Sequence, residues 1–312
     1  MPVLRSTFIA LSRNHALRGF SESSRIGRRM SSRFVAGMEI EDVLRAAESV
    51  NAQGIAATLD SLGENVTTAD QARHSADIYH RLLDAIQQRG LNANVSVKLT
   101  QMGLELDPEL TYEIARELVE HAVETDNFVR IDMEGSALTQ ITLDIVKRLH
   151  SSHTNGVSNS GHVGVVIQAY LYRSEKDICE LLSDGIRIRL CKGAYQEPPE
   201  IAFPVKADVD SNFVRLMRLL VKSGIYHGIA THDDAMVEAT RKFVQERNIN
   251  LADFEFQMLY GVRRDLQRTL TEQGYGVRVY IPFGHEWYPY FMRRLAERPA
   301  NVLFLAKNFF KN

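Results

Sequence analysis

Eight short apolar or β-branched runs, each followed by a longer segment of helical spacing, constrain the fold of this chain more than any other feature. The runs are GIAATLD at 54–60, NVSVKL at 94–99, FVRID at 128–132, VGVVIQA at 163–169, GIRIRLC at 185–191, HGIATH at 227–232, FEFQML at 254–259 and GVRVYIPF at 276–283. Their near-continuous apolar character predicts strands buried on both faces, and the alternation predicts βα units around a parallel sheet. The segments between carry helix start signals: Thr68 with Gln71 as a capping box, Asp107 before Pro108 at a first helical turn, and Ser174 ahead of EKDICELL. Stripes such as Ile78, Leu82, Leu83 and Ile86, or Leu110, Ile114 and Leu118, give each helix one face to lay on a sheet. Eight repeats predict an α/β fold of the (β/α)8 barrel type. A doubly wound open sheet usually has fewer strands, and no GxGxxG follows any of these runs. The stretch HSSHTNGVSNSG at 150–161 reads as an exposed connection.

In a parallel barrel the active site lies at the C-terminal strand ends, so a polar residue there is informative. Lys98 closes the second run, Asp132 the third and Gln168 the fourth; Arg189 and Lys192 flank the end of the fifth. His232 closes the sixth, Gln257 the seventh, and Tyr280 lies near the end of the eighth. One polar strand end is an ordinary loop start, but seven converging on one mouth suggest a site. Gly193 and Ala194 after Lys192 let backbone approach a ligand closely. Beyond the last run, Pro289 suits a first helical turn, and Tyr290 shares a helix face with Arg293 and Arg294. Adjacent guanidiniums each need an acceptor, and a planar carboxylate matches their donor fork.

A chain of 312 residues holds one barrel with an N-terminal extension. The expected division is a basic helical arm at 1–38 and a barrel at 39–312, with a first helix over 40–51. The arm has seven arginines against the single acidic Glu22 within residues 1–35. It reads as a packing arm, with a lipid-touching segment or a transit peptide as the other readings. A formal net charge of -2 gives no overall reason to expect a nucleic-acid partner. Two cysteines, Cys179 and Cys191, are too few for a disulfide framework, and no apolar run reaches membrane-spanning length, so a reducing cytoplasm is the expected setting. His150 and His153 sit in the Ser/Gly-rich stretch and the other histidines are scattered, so no catalytic metal is expected. Neither a P-loop nor a GxSxG elbow is present.

Several longer motifs occur in order: SVKLTQMG at 96–103, VRIDME at 129–134, QAYLYRSEKD at 168–177, IRLCKGAYQEP at 188–198, ATHD at 230–233, FEFQMLYGVR at 254–263, and YIPFGHEWYPYFMRRLAERPAN at 280–301. On these the chain resembles the proline dehydrogenases, particularly the short monofunctional bacterial type, over about residues 33–305. The resemblance implies a distorted barrel that holds FAD at its mouth and oxidises L-proline to Δ1-pyrroline-5-carboxylate, with hydride passing to flavin N5 and electrons to a membrane quinone. It implies catalytic roles for Asp132, which would hold the pocket together, and for Arg189 beside the flavin N5 edge. Substrate contacts would come from Lys98, Arg293 and Arg294 on the carboxylate, and from Tyr280 and Tyr290 on the ring. Met133, Gln168, Arg189, Lys192, Gly193, Ala194, Thr231 and His232 would contact FAD. Peripheral contact with the inner face of the cytoplasmic membrane and a homo-oligomer are compatible with it.

Two other readings of the same residues stay open. Lys98 at a strand end suits a Schiff-base aldolase, although a neighbouring Asp132 opposes its nucleophilicity. A non-catalytic anion-binding barrel docked through the basic arm is the second.

Overall fold

Successive side chains of a strand face opposite ways, and this chain sorts them sharply. In the computed structural model, which describes residues 31–63 and 66–297, the strands are β1 Ala56–Ser61, β2 Ala93–Val97, β3 Val129–Ile131, β4 Val163–Gln168, β5 Arg187–Cys191, β6 His227–Ala230, β7 Phe254–Leu259 and β8 Gly276–Phe283. They close into one parallel barrel in chain order, with β8 pairing β1 so that Ala57 lies beside Val279 and Asp60 beside Pro282. Outward residues such as Leu59, Val97, Ile131, Ile167, Leu190, Phe256 and Val279 join one continuous buried core under the helices.

Both faces are buried as expected, but the inner face is polar rather than apolar. Arg278 Nε donates to Glu255 Oε1 at 2.7 Å and its Nη1 to Asn94 Oδ1 at 2.9 Å, while Thr58 Oγ1 donates to Asn94 Oδ1 at 2.6 Å. Arg130 Nη1 donates to the carbonyls of Val165 and Arg187 at 3.1 and 2.7 Å. A Cβ at Gly164 would fall 2.7 Å from Arg130 Nη1 and 2.3 Å from the Arg187 oxygen, so glycine makes room for this layer. An unsatisfied buried polar group costs about 1–3 kcal/mol, a cost that cross-strand pairing avoids for Thr58, Asn94, Glu255 and Arg278, while Arg130 Nε is left without a partner among the described residues.

The helices are α1 Ile40–Asn51, α2 Ala69–Arg89, α3 Pro108–Glu124, α4 Thr139–Ser151, α5 Ser174–Ser183, α6 Lys206–Val221, α7 Asp234–Arg247, α8 Arg264–Glu272 and α9 Trp287–Glu297. The helix α1, capped by Asp42 on the Met38 and Glu39 amides, packs Val43, Leu44, Ala47 and Val50 against the β8–β1 seam. That seam is where the helix after the last strand of a regular barrel would lie. The final helix α9 is displaced to the C-terminal strand ends instead, where Trp287, Tyr288, Tyr290, Phe291 and Met292 pack on Phe34, Val35 and Leu62 in a separate cluster. Residues 36 and 37 run beside the end of β8, with the Ala36 amide donating to Pro282 O and the Gly284 amide to Gly37 O, both at 2.9 Å. The last residues of the expected arm are therefore packed on the barrel, and residues 1–30 lie outside the described ones.

Three local expectations change. Thr68 caps α2 through the Gln71 amide, but Gln71 Oε1 accepts from the Thr67 amide at 2.8 Å, one residue before the cap. Ser174 lies inside α5 because Arg173 is already helical, and its hydroxyl donates to the Gln168 carbonyl at 2.6 Å. The 150–161 stretch forms a short hairpin, His153–Thr154 with Val157–Ser158, around Asn155 and Gly156 at φ 51° and 82°. That Asn-Gly pair is a sequence signal for the turn. Asp107 caps α3 as expected, accepting from the Glu109 amide at 2.9 Å.

Candidate active site

At the C-terminal end of the barrel the inner residues form one ionic network. Asp132 Oδ1 accepts from Ser96 Oγ at 2.6 Å and from Arg189 Nη1 at 3.0 Å, and its Oδ2 accepts from the Tyr280 hydroxyl at 2.9 Å. Lys98 Nζ donates to Asp60 Oδ1 and Oδ2 at 3.1 and 3.2 Å and stands 3.7 Å from Asp132 Oδ2. Four strands thus supply two carboxylates and two cations within reach of each other, and Arg189 lies over the Tyr280 ring with Cζ 5.2 Å from its centre. Burial, and then the Asp132 charge, hold the Tyr280 hydroxyl well above its ordinary pKa, so it remains a donor. Burial also raises the Asp60 carboxyl, against the opposing pull of Lys98.

The structure brings Lys98, Asp132, Arg189 and Tyr280 together, as their strand ends suggested. Asp60 escaped the sequence reading although it carries the same signal, a polar residue closing its strand. It is the nearer carboxylate to Lys98, and it also accepts from the Tyr79 hydroxyl at 3.3 Å. This ion pair favours the ammonium form of Lys98, which is not a nucleophile, and so weighs against a Schiff base. Gln257 lies two residues before the end of β7 and accepts from Arg189 Nε. Glu134 was likewise passed over; it accepts from the Thr100 amide and hydroxyl at 3.2 and 2.7 Å and ties the turn after β2 to the loop after β3.

The remaining mouth residues lie along β4, β5 and β6. Gln168 is buried, donates Nε2 to the Glu134 carbonyl at 2.9 Å and accepts from the Ala194 amide at 3.2 Å. Gly193 has φ +124°, and a Cβ there would fall 2.3 Å from the Tyr170 ring, so this glycine serves close packing of an aromatic side chain. Lys192 is held between Asp210 and Asp233. Thr231 Oγ1 accepts from the Asp233 amide at 3.1 Å, and His232 Nε2 accepts from the Leu259 amide at 2.8 Å, which places the His232 proton on Nδ1. Met133 is buried beyond β3. Cys191, half-buried, faces inward beside Gln168, and desolvation pushes its thiol up to about 12, which disfavours a reactive thiolate.

On α9, the Arg294 guanidinium lies over the Tyr290 ring with Cζ 5.1 Å from its centre, as a shared helix face requires. Tyr290 itself is buried in the α9 cluster. The side chain of Arg293 lies outside the described residues. No helix among the described residues is long and apolar enough to cross a membrane, and among them no three metal-type side chains converge.

A parallel barrel with a buried ionic network at its strand ends defines a barrel enzyme with a charged site at its mouth. Residues 43–307 match the family model for proline dehydrogenase, and the chain belongs to that family. It is 39% identical to proline dehydrogenase 2 of Bacillus subtilis over 99% of both chains, and 40% identical to the proline dehydrogenase of Deinococcus radiodurans over 90% of both. Its activity is proline dehydrogenation, the first step of proline catabolism. The fold is similar to that of proline utilization A from Bdellovibrio bacteriovorus inactivated by N-propargylglycine, with TM-score 0.80 and 24% identity over 91% of this chain and 34% of that one. A proline utilization A variant from Bradyrhizobium japonicum is similar at TM-score 0.75 and 24% identity, over 89% of this chain and 32% of that one.

Proposed function

We propose that the enzyme oxidises L-proline to Δ1-pyrroline-5-carboxylate with FAD bound at the barrel mouth, and that a quinone reoxidises it. The observation that carries this reading is the arrangement at Arg189. Its Nε and Nη1 are committed to Gln257, Ser96 and Asp132, while no described residue accepts from Nη2. That leaves a cationic donor at the strand ends, suited to the oxygen- and nitrogen-rich edge of an isoalloxazine ring. Gln168, Thr231, His232 and the Gly193–Ala194 backbone add neutral donors and acceptors around it, and Met133 adds an apolar surface. Lys192 would serve with its two carboxylates as a fixed wall. This donor set fits FAD, and the chain has no glycine fingerprint of the Rossmann type of dinucleotide site.

When bound, FAD supplies the acceptor for the hydride that leaves proline C5. The chain's own residues do the rest. Arg293 and Arg294 take the proline carboxylate as a forked pair, with Lys98 adding charge from the barrel side. Tyr280 and Tyr290 wall the ring, and Asp132 locks Tyr280 and Arg189 in place by accepting from both, so the site need not reorganise on binding. The amine proton leaves to solvent water, since the two carboxylates of the network are already engaged by cations. The described segment at 33–38 contributes to the α9 anchorage, and contact of the preceding basic residues with an anionic membrane surface would bring the enzyme to the quinone.

Anaerobic addition of proline to purified protein tests this reading. The expected result is yellow protein whose visible absorption bleaches and returns on adding a quinone. Protein that stays colourless and inactive after FAD addition would overturn it.

A further inference from the structure

We propose that Gln257 is a positioning residue for Arg189: its amide, locked in one orientation by Glu255, sets the plane of the guanidinium without cancelling its charge. What Arg189 faces rests on the flavin reading above; the positioning itself rests on described contacts.

A guanidinium has only donors and a carboxylate only acceptors. The amide between them therefore has one permitted orientation, with Oε1 accepting from Arg189 Nε and Nε2 donating to Glu255 Oε1 at 2.5 Å. Glu255 is fixed in turn, accepting from Arg278 Nε at 2.7 Å and from the Tyr226 hydroxyl at 2.8 Å. Although burial opposes it, Arg278 and these hydrogen bonds keep the Glu255 carboxyl below its ordinary pKa. The seat is also built from below: a Cβ at Gly228 would fall 2.4 Å from Gln257 Nε2, so glycine lets the amide lie against β6.

Two anchors on opposite sides of the barrel, Gln257 at Nε and Asp132 at Nη1, define the plane of Arg189, because the guanidinium is rigid and planar. Only Asp132 contributes a negative charge. A second carboxylate at position 257 would anchor Arg189 equally well but would offset the positive potential that a reduced, electron-rich cofactor needs beside it. The neutral amide separates the two tasks.

The test uses Gln257→Met, which keeps volume but offers no acceptor, with Gly228→Ala as a second variant that displaces the amide without deleting it. In flavin-free wild type the Arg189 Nε–H proton should exchange slowly by NMR, and in both variants that protection should be lost. In FAD-loaded Gln257→Met the midpoint potential should move negative and kcat should fall about tenfold, the loss of one charge-assisted hydrogen bond, while KM for proline stays within about twofold. Gly228→Ala should move each in the same direction. Retained Nε–H protection in Gln257→Met, or lost thermal stability with potential and kcat unchanged, overturns the proposal. Wild-type protein that binds no FAD would refute the flavin reading alone, since the Nε–H readout needs no cofactor.

Discussion

The strand-end network and the α9 helix both carry residues of the proposed site, but they are held by different means. Asp60, Lys98, Ser96, Asp132, Arg189 and Tyr280 come from β1, β8 and the strands between, and each polar group is bound to another across the barrel. Helix α9 rests on a small apolar cluster with Phe34, Val35 and Leu62, apart from the main core. Closure of the barrel by strand pairing and ionic pairing within it make the first region stiff, whereas the second depends on a few aromatic contacts and on a segment some 250 residues away in sequence. The proposed site is thus divided: the barrel holds Asp132, Arg189 and Tyr280 with Lys98, and α9 carries Arg294 and Tyr290.

Asp132→Asn should have the largest effect. It leaves Arg189 and Lys98 with one fewer carboxylate in a nearly buried setting, and breaking such a pair costs about 3–5 kcal/mol. The expected outcome is a fall in kcat/KM of at least a hundredfold with α9 still packed, read by steady-state kinetics and tryptophan fluorescence. A fluorescence change as large as the kinetic loss would show that the two regions are not separable.

Trp287→Ala acts on the other side. Trp287 is buried and meets the Phe291 ring at 5.7 Å, so truncation should cost about 3 kcal/mol of local packing. Raised KM and faster hydrogen exchange confined to α9 are expected, with flavin retained. Flavin loss without a change in KM would place α9 with the cofactor instead.

Acid should loosen the barrel from its foot. Burial, and then the neighbouring Arg130, depress His227 to about 3, and its Nδ1 accepts from the Ile188 amide at 3.0 Å. The unfolded chain binds a proton near its ordinary value of about 6.5 while the folded chain does not, so stability is full above that value and is lost as pH falls toward 3. At pH 5 the loss should be about 2 kcal/mol. Urea midpoints of wild type and His227→Gln should converge between pH 7 and pH 5; parallel curves would remove His227 from the acid response.

The smallest expected change concerns ring selectivity. Tyr280→Ser should lower proline efficiency and also narrow the preference over 4-hydroxyproline by about 1 kcal/mol, because it opens space and supplies a hydroxyl. Measured kcat/KM ratios for the two substrates check this, and an unchanged ratio would transfer the wall to Tyr290.

Much of the strand-end network was legible because a parallel barrel turns strand-end polarity into convergence: Lys98, Asp132, Gln168, Arg189 and Tyr280 each stood out against apolar neighbours. Asp60 was as legible as these and was overlooked. The polar inner layer was harder to read, since in VGVVIQ the inward positions are Gly164, Val166 and Gln168, and glycine hides the arginine that fills its space. The docking of α9 on Phe34 and Val35 was out of reach, because periodicity reports a helix face but not the distant surface that covers it.

The most direct test of the divided site is the anaerobic reduction of the Arg294→Lys enzyme by proline in a stopped flow. A point charge cannot reproduce a forked donor, so the apparent Kd for proline should rise by about 1–3 kcal/mol, roughly fivefold to more than a hundredfold, while the limiting rate of flavin bleaching stays within about threefold of wild type. A limiting rate that collapses while Kd is unchanged would contradict the division, and would make Arg294 part of the reacting centre.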